Sequence, residues 1–145
     1  MEPSQSPFSM PKHVVITVFG SLGDLHPMMA LALGLQARGY RVTIVTSRLY
    51  QAKIEHEGIG FAPLGPEQME PNQAIYDELF DRVQGPETLV RKYLLPFVKE
   101  MAQNLHPLLE TADFLINAPT VYAGPVLAEA LKLPWASATL QPFVY

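Results

Sequence analysis

The chain has no cysteine among its 145 residues. That excludes a disulfide framework, a thiolate zinc site and a cysteine nucleophile. Positive charge is scarce: ten Lys and Arg stand against fourteen Asp and Glu, a net charge of −4. Duplex nucleic acid and anionic membranes both need clustered positive charge, so neither is the expected main partner. Long apolar runs are missing as well, none approaching the ~20 residues that span a bilayer. No Gly-Lys-Ser/Thr follows the glycines, which excludes a Walker loop, and no two histidines stand at i, i+4 beside an acid, so no metal site is expected. What is abundant is apolar: 48% hydrophobic residues against 17% charged give a packed core to about one domain. Proline is also plentiful at fourteen residues, about twice the usual share.

Residues 1–11 hold prolines and serines without apolar period and read as a disordered leader. They lack the basic start and apolar core of an export signal, so a cytoplasmic location is expected. Residues 14–19 (VVITVF) form a β-branched run without polar alternation, the pattern of a parallel strand buried on both faces. A glycine-bearing turn at residues 20–23 precedes a helix expected over 27–38, with Gly39 as its stop. Residues 41–46 (RVTIVT) complete a βαβ unit of the usual size. A short helix over 48–57, a strand over 60–64 and a polar, aperiodic loop over 65–85 come next. One long helix over 86–111, kinked at Pro96, leads to a strand at 113–117, a helix at 121–131 and a strand at 134–140. Repeated βα units imply a doubly wound, Rossmann-like parallel α/β sheet. With strand order 3-2-1-4-5, ligands belong in the crevice between strands one and four, beside residues 20–27 and 117–124.

The loop after strand one, Gly20-Ser21-Leu22-Gly23-Asp24-Leu25-His26-Pro27, carries the chemistry. Its glycines let backbone approach a ligand, and the helix behind it directs free N–H groups at the crevice. Three readings stay open. In the first, the loop is a strand-to-helix turn with Asp24 or His26 capping the helix. In the second it binds NADP; the G-x-x-G spacing is wrong for a dinucleotide fingerprint, but Ser47 and Arg48 follow strand two where a 2′-phosphate would sit.

The third is a resemblance. That loop, followed by residues 30–35 (ALALGL) and 38–45 (RGYRVTIV), resembles the start of family-28 type GT-B glycosyltransferases, such as sterol, macrolide and antibiotic glycosyltransferases. Residues 113–117 (DFLIN) and 128–134 (AEALKLP) are similar to a later stretch of the same family, in the same order. The resemblance covers residues 12–143. It implies the N-terminal, acceptor-side half of a GT-B fold, with a nucleotide sugar such as UDP-glucose as co-substrate and no cofactor. A small-molecule or lipid acceptor supplies the hydroxyl that attacks the anomeric carbon. By motif match Asp24 is the candidate base, standing where plant-type relatives carry a histidine. Their supporting aspartate falls at Asn117, a departure that an aspartate base tolerates because it carries its own negative charge. Gly20, Ser21 and Gly23 are assigned to the donor diphosphate, and His26, Asn117, Tyr122, Gln141 and Phe143 to the acceptor. The donor-binding C-terminal domain is expected to lie outside these residues, leaving the 145-residue chain inactive alone. A peripheral membrane contact of the whole protein is a further implication. A noncatalytic acceptor-binding module is the remaining alternative.

Overall fold

The computed structural model describes residues 12–66 and 72–141. The leader at 1–11 and Phe143 therefore lie outside the described residues. Five strands, β1 (His13–Thr17), β2 (Arg41–Thr46), β3 (Gly60–Pro63), β4 (Phe114–Asn117) and β5 (Trp135–Ser137), form one parallel sheet in the order β3-β2-β1-β4-β5. Val15 of β1 lies between Thr43 of β2 and Leu115 of β4, so β1 is central and buried along its whole length. This is the doubly wound order expected from the βα alternation.

Side chains alternate across the sheet and build a core on each face. On one face Val14, Ile16, Val42 and Ile44 pack against Leu25, Met28, Met29 and Ala32 of α1 (Leu22–Gln36) and Ile54 of α2 (Gln51–His56). On the other, Val15, Val45 and Leu115 meet Met101, Leu105 and Leu109 of α5 (Val98–Glu110) and Ala123 and Ala128 of α6 (Ala123–Ala130). Each fully buried Leu or Ile contributes about 1.5–3 kcal/mol by leaving water, so these two layers clamp the sheet between them.

Four expectations need correction. Helix α1 starts at Leu22, not at residue 27, because Ser21 and Asp24 form a capping box at its entry. Pro27 thus lies inside the helix, where its missing N–H leaves only the carbonyl of the exposed Gly23 without a helical partner. Residues 65–85 are not simply a loop: Asn72 caps α3 (Gln73–Leu79) by accepting from Ile75 N at 3.0 Å. The expected long helix over 86–111 is broken. α4 (Gly85–Thr88) runs into a wide π turn at Leu89–Leu94 and a tight 3₁₀ turn at Leu95–Phe97 before α5 begins. Pro96 has no N–H to donate, so a helical bond is lost there, and the backbone departs at Leu94 (φ −107°, ψ −61°), which places the break where the kink was expected. Finally β5 spans only Trp135–Ser137, and all three residues are exposed at the sheet edge.

Candidate functional site

A cleft of about 350 Å³ opens over the carboxyl ends of the strands, within the range of small-molecule sites. Residues just beyond each strand supply its floor: Val18 and Phe19 after β1, Thr46 and Ser47 at β2, Gly65 after β3, Ala118 to Thr120 after β4, and Ala138 to Gln141 after β5. One wall is the first turn of α1 with Leu49 and Tyr50; the facing wall is Ile75, Tyr76, Leu79 and Phe80 from α3. The cleft is therefore wider than the β1–β4 crevice expected, since it also takes in the ends of β2, β3 and β5 and residues of α3.

The β1–α1 loop turns sharply. Gly20 has φ +148°, and a Cβ there would overlap the carboxylate of Asp24. The hydroxyl of Tyr50 donates to the Gly20 carbonyl at 3.2 Å and so ties the loop to the turn that follows β2. Burial pushes the Tyr50 hydroxyl above its ordinary pKa, and the neighbouring Tyr76 and Asp24 push it further, so it stays protonated.

Asp24 is half-buried at the cleft wall. Its Oδ2 accepts from Ser21 N at 2.9 Å and lies 3.4 Å from Ser21 Oγ, while Ser21 Oγ accepts from Gly23 N at 3.2 Å. Oδ1 has no protein partner among the described residues. One carboxylate oxygen therefore caps the helix while the other remains unengaged. Capping and chemistry are compatible in this residue. Asp24 is also the only carboxylate in the described lining, and no Lys, Arg or His shares it. Such a site suits an uncharged, mostly apolar molecule with a hydroxyl.

The other candidate residues divide. Gly20, Ser21 and Gln141 line the cleft with Asp24. Gly23 sits in the capped turn but outside the lining, and the exposed His26 and Tyr122 are outside it too. Asn117 is 2% exposed and bonds to neighbouring strand and loop atoms. Its oxygen accepts from Thr17 Oγ1 at 2.8 Å, and its amide donates to the carbonyls of Ala118 and Val121 at 2.7 and 3.0 Å. Both amide N–H groups are thus engaged, and Asn117 lies outside the described cleft lining. Ser47 accepts from Leu49 N at 3.3 Å, capping a 3₁₀ turn at Arg48–Tyr50. The α3 wall, Tyr50 and Thr46 are site residues that sequence reasoning missed. For α3 the signal was present in Asn72 as a cap and in the spacing of Ile75, Tyr76, Leu79 and Phe80.

Among the described residues no three His, Cys, Asp or Glu side chains converge on a metal-sized site, and no helix is long and apolar enough to cross a membrane.

Comparison with known proteins agrees with this geometry. The sequence model of the family described as Glycosyltransferase family 28 N-terminal domain matches residues 14–144. A UDP-sugar-dependent glycosyltransferase 52 of Dictyostelium discoideum is 31% identical over 137 residues, 92% of this chain. A sterol 3-beta-glucosyltransferase of Cryptococcus neoformans is 29% identical over 133 residues, again 92% of this chain. In both cases the chain spans only 8% of the relative's length. Among solved structures, the glycosyltransferase SsfS6 of Streptomyces sp. SF2575, complexed with thymidine diphosphate, superposes with a TM-score of 0.69 at 21% identity. That match covers 92% of this chain and 40% of SsfS6. The calicheamicin glycosyltransferase CalG4 gives a TM-score of 0.66 at 17% identity over 90% of this chain and 33% of its own. These likenesses establish a shared fold, a Rossmann-like domain of the GT-B type. With nearly all its length matched by the family, the chain belongs to the glycosyltransferase family 28 N-terminal domains.

Proposed function

We propose that this domain is the acceptor side of a glycosyltransferase that moves a hexosyl group from a nucleotide sugar, with UDP-glucose the first candidate, to the hydroxyl of an uncharged apolar molecule. The observation that carries the reading is the cleft itself: apolar walls, one carboxylate with an unengaged oxygen, and no cation among its described lining. The named relatives act with UDP-sugars or on a sterol, which supports the same donor and acceptor chemistry.

In the proposed reaction the acceptor oxygen attacks the anomeric carbon and a new carbon–oxygen bond forms. The bond from that carbon to the diphosphate breaks, and its electron pair leaves with the nucleotide. The acceptor proton passes to Asp24 Oδ1, the oxygen free of the helix cap. Gly20, Ser21 and Gly23 stand at the amino end of α1, where the helix dipole favours the donor diphosphate. His26 and Tyr122 enter only as outer contacts to a large acceptor, Gln141 belongs to the lining, and Phe143 is assigned to the acceptor from its place in the sequence alone. The nucleotide itself is assigned to a second domain outside these residues. The nucleotide sugar is a co-substrate, so the reading assigns no cofactor. A cytoplasmic site of action, with peripheral contact to a membrane that holds the acceptor, completes the proposal.

The test is product detection. The whole protein is incubated with UDP-glucose and ergosterol, and products are resolved by mass. A product heavier than ergosterol by one hexosyl group, with release of UDP, supports the reading; UDP release at the rate seen without any acceptor contradicts it.

A further inference from the structure

We propose that Tyr50 is a positioning residue for Asp24, its hydroxyl fixing the Gly20–Ser21 peptide whose N–H holds the Asp24 carboxylate. The inference rests on reading Asp24 as the base, and it adds a residue that the motif does not reach. The connection runs through a single peptide unit. The Tyr50 hydroxyl donates to the Gly20 carbonyl at 3.2 Å, and the N–H of that same unit, on Ser21, donates to Asp24 Oδ2 at 2.9 Å. A peptide unit is planar, so holding its carbonyl aims its N–H. Donation to the carbonyl also polarises the unit and strengthens the bond that its N–H makes. Tyr50 thereby constrains where the carboxyl group of Asp24 sits, and with it the second oxygen.

Tyr50 is itself well anchored. Ser47 Oγ accepts from Leu49 N at 3.3 Å and Tyr50 N donates to the Ser47 carbonyl at 3.1 Å, which builds the turn at Arg48–Tyr50 directly after β2. The Tyr50 ring is 8% exposed and belongs to the core that holds Val18, Met28 and Ile44. Burial raises the pKa of the phenol, so the proton it donates stays in place. The loop that it grips is held on either side. Val18 N donates to the Val45 carbonyl at 3.0 Å where β1 ends, and Thr120 Oγ1 donates to the Phe19 carbonyl at 3.3 Å from the loop after β4. Gly20 has no side chain of its own to anchor it and room for none, since a Cβ would overlap the Asp24 carboxylate. Packing alone does not ask for the hydroxyl, because Phe fills the same core position without it. Its partner is the one carbonyl that shares a peptide unit with the Asp24 donor.

The test is a double-mutant cycle in the whole protein, following hexosyl transfer from UDP-glucose to ergosterol. Wild type, Tyr50→Phe, Asp24→Asn and the double variant are compared. Hydrogen exchange and melting temperature are recorded on the same samples. Tyr50→Phe is expected to lower kcat about tenfold, the scale of one hydrogen bond, while the KM for ergosterol stays at the wild-type value. It speeds exchange in residues 19–25 and leaves exchange in α5, on the other face of the sheet, unchanged. In the Asp24→Asn background the same substitution costs nothing further, since the group being positioned no longer takes a proton. Wild-type kcat, or wild-type exchange across residues 19–25, in Tyr50→Phe overturns the positioning role and leaves the base reading in place. So does an equal loss in both backgrounds, which would mean that Tyr50 acts on the cleft and not through Asp24. Faster exchange throughout the sheet with a much lower melting temperature overturns it as well, by making the hydroxyl a prop of the fold. Wild-type turnover in Asp24→Asn overturns the base reading and the positioning together, and absence of transfer by the wild type overturns both along with the acceptor reading.

Discussion

At the scale of single residues, polar groups at the two ends of the sheet behave differently. At the carboxyl end they either knit strands together, as Thr17 and Asn117 do, or face the cleft, as Asp24 does. At the amino end His13 is buried, with Nε2 2.8 Å from Thr43 Oγ1 and its own N–H donating to Asp113 at 2.7 Å. Burial above all, then the Arg41 charge, holds the His13 ring below its ordinary value of 6.5, against a smaller opposing pull from Asp113. The folded state thus prefers the neutral ring, while the unfolded chain takes up a proton near 6.5. Stability from this site is complete above that pH and is lost as pH falls below it. Urea midpoints measured from pH 7.5 down to 5.5 should decline in the wild type and decline less in His13→Gln; parallel profiles would contradict the assignment. None of this was visible in the sequence, where His13 is only the residue before the β-branched run. Burial depends on strand pairing, which local pattern does not report.

At the scale of elements, legibility followed the strength of the local pattern. The β-branched run of β1 and the Pro96 break in the long helical segment were readable because each rests on backbone chemistry within a few residues. The start of α1 was readable in principle too: Ser21 and Asp24 stand in the capping-box spacing, but Pro27 suggested a later start. Helix α3 escaped because it is only seven residues long and its apolar side lines a cleft instead of a core, so few apolar positions mark it. Between elements, the bond network of Asn117 locks β4 to β1, and Gly124 is required because a Cβ there would overlap the Asn117 carboxamide. Asn117→Ala leaves Thr17 Oγ1 and two carbonyls short of partners at a buried site. A loss of about 2–3 kcal/mol in unfolding free energy is expected, read by chemical denaturation. A change under about 0.5 kcal/mol, the usual size for a surface substitution, would return Asn117 to a functional role.

At the scale of the whole molecule, two cores clamp a five-stranded parallel sheet and leave its carboxyl edge open as an apolar cleft with one carboxylate. Fold class and strand order were legible in the βα alternation, and the cleft's general place follows from them. Its width and its α3 wall were not, since they depend on where residues 72–80 pack in three dimensions. The central claim is that Asp24 does two things at once, capping α1 through Oδ2 and taking a proton through Oδ1. Asp24→Asn separates them, because the carboxamide oxygen still accepts from Ser21 N while basicity is gone. The deciding measurement is hexosyl-transfer turnover of the whole protein for wild type and Asp24→Asn, with melting temperature recorded on the same samples. A fall of about 10²–10⁴-fold in kcat with little change in melting is the predicted result. Turnover equal to wild type, or lost only in step with folding, would leave Asp24 a helix cap and nothing more.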